Sequence, residues 1–255
     1  MRNKRTAGTA AAALCIAAAL IPTIWLVILC AQNPEGAREI LWEEPFTLYR
    51  FWNSLLLCSA ITLGQMLVSC WAGFALAKYP IPGKGYLTTL LVILMLLPLQ
   101  VTLVPSYLIL DALGLLNTIW ALILPSVFSP FGTVVMWITF RAVPEDLLDA
   151  ARLDGASEWR IYFQLVLPNI KPAVLTVFIF QFVNIWNGLS KELVYDEQLK
   201  VVKVALEQIS ASNLYARMGS GMAGSVLLMI PPIVIFILMQ RHVVETMTFA
   251  GMKEG

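Results

Sequence analysis

Apolar runs fill most of this chain, and polar residues gather in short breaks between them. The runs cover about residues 7–31, 54–77, 87–109, 119–140, 173–188 and 221–239. Each meets the ~17–25 residues that a helix needs to cross a bilayer, the fifth marginally. The breaks differ in character. Gln32 to Asn53 is rich in acids and carries Trp42 and Trp52, residues suited to a membrane interface. Lys78 to Tyr86 is a turn with two prolines, two glycines and two lysines. Leu110 to Thr118 is a second short turn, Leu189 to Ser220 a long polar stretch, and Gln240 to Gly255 a short tail. The pattern predicts an all-α polytopic membrane protein with six transmembrane helices in a single domain, residues 1–255.

The first run follows Arg2, Lys4 and Arg5. A secretory leader would have an apolar region of only ~7–15 residues and a small-residue cleavage site. This run is longer, and Leu29 before Cys30 departs from a lipoprotein-type site, so we read an uncleaved first span. Prolines 98 and 105 interrupt the third run, 125 and 130 the fourth, and Pro231-Pro232 the sixth. A membrane helix tolerates proline when neighbours satisfy the freed carbonyls. Four in two adjacent runs tilt the reading towards a transport core.

Composition strengthens this picture. The chain is 59% hydrophobic and 13% charged, with a mean hydropathy of +0.77. Soluble domains carry about a quarter charged residues. The net charge of +1 gives no field directed at nucleic acid. Cys15, Cys30, Cys58 and Cys70 all sit in apolar runs and read as small buried hydrophobes rather than disulfides or metal ligands. A phosphate-cradling G-x-x-x-x-G-K loop is missing, because Lys78 stands where Gly83-Lys84 would need its first glycine. With the N-terminus inside, the inner segments hold eleven Lys and Arg residues and the outer ones six. The positive-inside rule therefore puts both termini in the cytoplasm, together with the loop 141–172 between spans four and five.

That loop is the longest charge-bearing insert, and it is patterned. Pro144 suits a helix start, and Glu145 and Asp146 suit the first turn, where the helix dipole favours acids. The helix runs to about Leu153, and Gly155 can take the left-handed conformation past its end. Arg152 pairs with Asp149 at i, i+3. Asp154 opposes the dipole; the turn preference of Asp-Gly explains part of its placement, and cations or amides on another protein would explain the rest. Ala150 and Ala151 leave room for a close approach. A second helix starts near Ser157, with Trp159, Tyr162, Phe163 and Val166 on one apolar face, its Trp and Tyr suited to the headgroup level, and Leu167-Pro168 and Pro172 end it and turn the chain into span five. The segment reads as a docking site through which a partner moves the membrane helices.

The sequence D-A-A-x-x-D-G-A at Asp149–Ala156, followed by Leu167-Pro168 and Pro172, resembles the coupling loop of binding-protein-dependent ABC importer permeases. Asn53-Ser54-Leu55, the Lys78…Pro82-Gly83 turn, Trp186-Asn187 and the tail Gln240-Arg241 to Gly251-Met252-Lys253-Glu254-Gly255 resemble the carbohydrate subfamily of the maltose-permease G type. Asp149 departs from the family's usual Glu, Gly188 from its usual acid, and Glu245-Thr246 from a usual glycine.

The resemblance implies a coupling helix over about Glu145–Gly155, with Asp149, Ala150, Ala151, Arg152, Asp154, Gly155 and Ala156 at the contact. It implies an ATP-binding cassette ATPase dimer that carries ATP and magnesium, with no cofactor on this chain and no catalysis by it. It also implies a sister permease forming a heterodimer, an extracytoplasmic solute-binding protein, a sugar or another solute as cargo, and a place in the bacterial inner membrane.

For the translocation path the sequence offers Gln100, Gln181, Asn184 and Asn187, although amides at membrane depth often only bridge helices. A membrane-embedded enzyme would cluster Asp, His or Cys at depth, and here the acids lie in the loops. An ion-coupled secondary transporter would usually need inverted repeats and intramembrane charge, and the chain has neither pattern.

Overall fold

The structure is a computed structural model and describes residues 21, 23–38, 46–189, 193–196, 199–204, 206–207 and 218–251. Every regular element among them is helical. The chain divides into two compact units, residues 1–52 with 201–230 and residues 53–200 with 231–255. In the smaller unit, α1 (Thr23–Gln32) is apolar and is followed by α2 (Pro34–Arg38). The rest of the predicted first span, its basic flank, Cys15 and Trp42 lie outside the described residues. Val201, Val202, Val204 and Leu206 are buried, so part of the predicted polar stretch 189–220 is a core segment.

The larger unit holds most of the architecture. Helix α3 (Phe46–Lys78) carries an apolar stretch from Leu48 to Lys78. The predicted third span is two helices, α4 (Lys84–Leu96) and α5 (Leu99–Ala112), bent by 103°. Pro98 is the cause. It lacks an N–H for the ladder, and its ring drives Leu97 out of the helical region, to φ −70° and ψ 126°. Pro105 lies inside α5 without breaking it.

The fourth run is α6 (Ile119–Ser126) and α7 (Pro130–Arg141). Ser129 caps α7, its Oγ accepting from the Gly132 amide at 3.1 Å, with Pro130 in the first turn. Two short helices follow, α8 (Glu145–Leu153) and α9 (Glu158–Asn169). α10 (Lys171–Gly188) leaves α9 at 78°. α11 (Met218–Gly251) runs through Pro231-Pro232 and on through most of the predicted tail.

By length and composition, three helical stretches among the described residues can cross a membrane: 48–78, 119–141 and 220–240. They become five if each bent pair is one span. The core beneath α8 and α9 joins Phe74 of α3, Phe140 of α7 and Tyr162 of α9, with ring centroids 5.0–6.2 Å apart. Met66, Cys70, Met136, Val143, Leu148, Ile161, Val166, Ile170 and Val177 also belong to it. Cys58 and Cys70 are buried free thiols, as their apolar settings predict.

Candidate functional site

Helix α8 has one anchor and one open face. Leu148 is fully buried in the core, and Ala151 packs partly beside it. Asp146, Asp149, Ala150 and Asp154 are exposed, and Leu153 is 89% exposed. Pro144 sits at the N-cap, one position before the expected first turn, and Glu145 and Asp146 follow in the first turn.

The C-terminus closes as the sequence predicts. Gly155 takes φ 79°, its amide donates to the Arg152 carbonyl at 3.0 Å, and the Ala156 amide donates to the Ala151 carbonyl at 3.0 Å. This pair of bonds satisfies carbonyls the last turn would leave open. A Cβ on Gly155 would meet no atom within 4 Å, so backbone conformation alone demands glycine there.

The two short helices are tied to each other and to α3. Arg152 bonds Asp149 at 3.0 Å, the predicted i, i+3 pair. It also grips Glu158, with Nε donating to Oε1 at 2.9 Å. Tyr79, just past α3, donates its hydroxyl to Glu158 Oε2 at 2.7 Å. Lys78 ends α3 with a side chain only 1% exposed, and its Nζ donates to the Val143 carbonyl at 2.6 Å and to Glu145 Oε1 at 2.9 Å.

The Arg152 hydrogen bonds, with that from Tyr79, hold the Glu158 carboxyl below its ordinary value of 4.5. Burial, then the bond to Glu158, pushes the Tyr79 hydroxyl up. A carboxyl whose value is lowered by folding stabilises the fold above its unfolded value, and that contribution disappears as pH falls through the lowered one. The Glu158→Gln protein should therefore unfold about 1–2 °C below wild type at pH 7, as suits a half-exposed pair. The two should converge as pH falls through the ordinary carboxylate range and past the lowered Glu158 value. Thermal unfolding in detergent over a descending pH series measures this, and a gap that stays constant throughout would contradict it.

The predicted apolar face of the second helix divides. Ser157 caps it, its Oγ accepting from the Arg160 amide. Tyr162 and Val166 are buried core residues. Trp159, 64% exposed, and Phe163, also exposed, stack with centroids 5.8 Å apart. Tyr162 is thus not at a headgroup surface: its ring fills the gap between Phe74 and Phe140, 5.0 Å from the first.

Leu167-Pro168 lies within the last turn rather than after it: the helix ends at Asn169, and the chain turns 78° into α10 with Pro172 in its first turn, as expected. Residues 161–166 widen to a π-helical turn, in which the Leu167 amide reaches the Tyr162 carbonyl five residues back. Such a bulge accommodates a proline that can neither donate nor sit against the carbonyl of i−4. Asp154 is exposed and, among the described residues, its side chain has no partner.

The four amides proposed for a path part company. Gln181 is 2% exposed, wedged against Gly132 and Ser69: its Nε2 is 1.9 Å from where a Gly132 Cβ would stand. It packs against α7 and α3, and its buried amide finds no hydrogen-bond partner among the described residues. Asn187 is exposed and donates to its own helix at the Val183 carbonyl. Gln100 is exposed at the start of α5. Asn184 lines a cavity of about 480 Å³ together with Gln65, Thr102, Ser106, Ser129 and Phe131, and neither Gln100, Gln181 nor Asn187 does.

Sequence reading missed Lys78, Tyr79 and Glu158 as members of the site. Lys78 carried a signal, as a charged residue ending an apolar run beside a turn that resembles a family motif. The Tyr79–Glu158 contact spans 79 positions and left no local trace.

Residues 65–249 match the family described as binding-protein-dependent transport system inner membrane component. The arabinooligosaccharides transport system permease protein AraQ of Halalkalibacterium halodurans is 30% identical over 212 residues, covering 81% of this chain and 75% of that protein. The diacetylchitobiose uptake system permease protein NgcG of Streptomyces coelicolor is 27% identical over 248 residues, covering 88% and 81%. Among solved structures, a chain of a bacterial ABC transporter involved in the import of the acidic polysaccharide alginate superposes with a TM-score of 0.74 at 20% identity. That match covers 95% of this chain and 98% of that one. This fold, the long apolar helices and the family match over residues 65–249 together establish that the chain belongs to the binding-protein-dependent transport system inner membrane components, the membrane permeases of ABC importers.

Proposed function

We propose that the chain is the permease subunit of an ATP-driven importer for a sugar or oligosaccharide, and that α8 is its coupling helix. The cargo reading is supported by the names of the relatives, which take up arabinooligosaccharides and diacetylchitobiose. The coupling reading is carried by the form of α8. Its buried side is pinned by Leu148 and Lys78, while Asp146, Asp149, Ala150, Leu153 and Asp154 are exposed, and Asp149 pairs only with Arg152 of the same helix among the described residues. A short, rigidly held helix with an acidic, small-residue face is suited to a groove in another protein.

In this reading the chain forms a single permease domain with six spans, both termini and the loop 141–172 in the cytoplasm, in a bacterial inner membrane. Its partners are an ABC ATPase dimer holding ATP and magnesium, a sister permease and an extracytoplasmic solute-binding protein. ATP closes the ATPase dimer, and the groove displaces α8. The bundle then moves between inward- and outward-facing states, because ATP favours one of them. Asp149, Ala150, Ala151, Arg152, Asp154, Gly155 and Ala156 build or shape the contact. Asn184 and the hydroxyls of the 480 Å³ cavity contribute to the path of a polyhydroxylated cargo.

Asp149→Lys and Gly155→Lys test the docking face. The first reverses an exposed charge, and the second strains a left-handed turn by about 1–2 kcal/mol. Each should reduce co-purification of the ATPase and ATP-driven uptake at least about tenfold, as expected for a contact charge or backbone residue worth a kcal/mol or more. Unchanged ATPase association and uptake in both proteins would sink the assignment.

A further inference from the structure

Helix α8 continues from α7, and α9 leads into α10. Helix α3 precedes both by more than sixty positions, yet its end holds both short helices. Lys78 grips the start of α8 through the Val143 carbonyl and Glu145. Its neighbour Tyr79 grips Glu158 at the start of α9, and Glu158 is held by Arg152 from the last turn of α8. Helix α8 is therefore fastened to the end of α3 at both of its own ends. Below these polar contacts, Phe74 of α3 packs against Tyr162 and Phe140.

The two kinds of contact respond differently to movement. Burial of apolar surface is non-directional, so packed helices can slide along one another at modest cost as long as the buried area is kept. A buried ammonium is not indifferent. Lys78 Nζ is shielded from water, so moving α8 away would leave an unpaired charge and an unpaired carbonyl. Either the contact breaks at a large penalty or the end of α3 travels with α8.

We propose that Lys78, seconded by Tyr79, is a positioning residue that makes the end of α3 a receiver for the displacement of α8, so that the partner's stroke enters the bundle through α3 as well as through α7 and α10. This rests on the coupling role proposed for α8.

The test uses the complete transporter, with ATPase, sister permease and binding protein, reconstituted in proteoliposomes. Lys78→Met keeps the length of the stem and removes the charge and donors. Tyr79→Phe removes only a hydroxyl. ATPase co-purification, ATP hydrolysis and solute imported per ATP are read for each. With ATPase still bound, Lys78→Met should lower import per ATP about fivefold and Tyr79→Phe about twofold, the size expected for residues that carry coupling. A fall in either protein with the ATPase bound supports the proposal. Wild-type import per ATP in both overturns it, as does failure of Lys78→Met to assemble while Tyr79→Phe stays fully coupled. Failure of the coupling reading itself shows elsewhere, as ATPase association and uptake that survive both Asp149→Lys and Gly155→Lys.

Discussion

The Gly73→Leu protein should fail to accumulate as a folded permease. Gly73 lies where α3 meets α7. A Cβ there would stand 2.8 Å from Met136 Cβ, 2.8 Å from the Trp137 amide nitrogen and 3.0 Å from the Met136 carbonyl carbon. Two of these atoms are backbone, so no rotamer change can relieve the clash. The helices must separate, and the core around Cys70, Phe74, Met136 and Phe140 must open with them. In a bilayer this matters more than in water. Helix association there depends on close packing, since lipid tails solvate apolar side chains as well as protein does. Overpacking by a single methyl costs about 1–3 kcal/mol, so Gly73→Ala should fold with a lowered melting temperature and Gly73→Leu should not reach the folded state. Size-exclusion profiles and thermal unfolding of the detergent-solubilised proteins distinguish these outcomes. Wild-type melting of Gly73→Leu would show that α3 and α7 do not meet as closely as described.

Leu148→Asp is expected to release α8 from the bundle while leaving most spans in place. Leu148 is the only fully buried residue of α8, and it reaches the core shared by Phe140, Val143 and Ile161. Truncating such a leucine to alanine costs about 2–5 kcal/mol. A carboxylate adds the penalty of an unpaired buried charge, which the helix can escape only by lifting off. Limited proteolysis near Leu153 should therefore become rapid, and ATPase co-purification and ATP-driven uptake should be lost. Leu148→Met, which keeps volume, should stay within about 1.5 kcal/mol of wild type. The Leu153→Ala protein should melt as wild type does, because Leu153 is 89% exposed. Protease resistance of Leu148→Asp equal to wild type would mean that α8 is held by something other than this anchor.

Much of the candidate site was legible because its determinants are local. The acids of the first turn, Gly155 past the last, and Ser157 before the next helix each act through bonds a few residues long. The π-helical turn before Pro168 was not legible. Both a helix end and a bulge satisfy a proline, and the choice depends on whether Tyr162 has a core to enter. The same holds for Gln181. A glutamine in an apolar run can face a cavity or a neighbouring helix, and only the approach of Gly132 and Ser69 shows which. Pro98 was recognised as an interruption and does break the run into α4 and α5, but the 103° size of the bend has no counterpart in the local sequence.

The sequence by itself determined that the chain is helical and membrane-embedded, roughly where its apolar runs lie, and that residues 144–156 form a capped acidic helix. These follow from hydrocarbon thickness and from hydrogen bonds within single turns, both of which are written in local order. The tertiary structure decided which face of that helix is anchored, that Lys78 and Tyr79 at the end of α3 fasten it, and that Asn184 rather than Gln181 meets the cavity. Those outcomes depend on contacts between separate helices, the Lys78 and Tyr79 ties spanning 65 to 79 positions, whose energies exist only after the helices have packed.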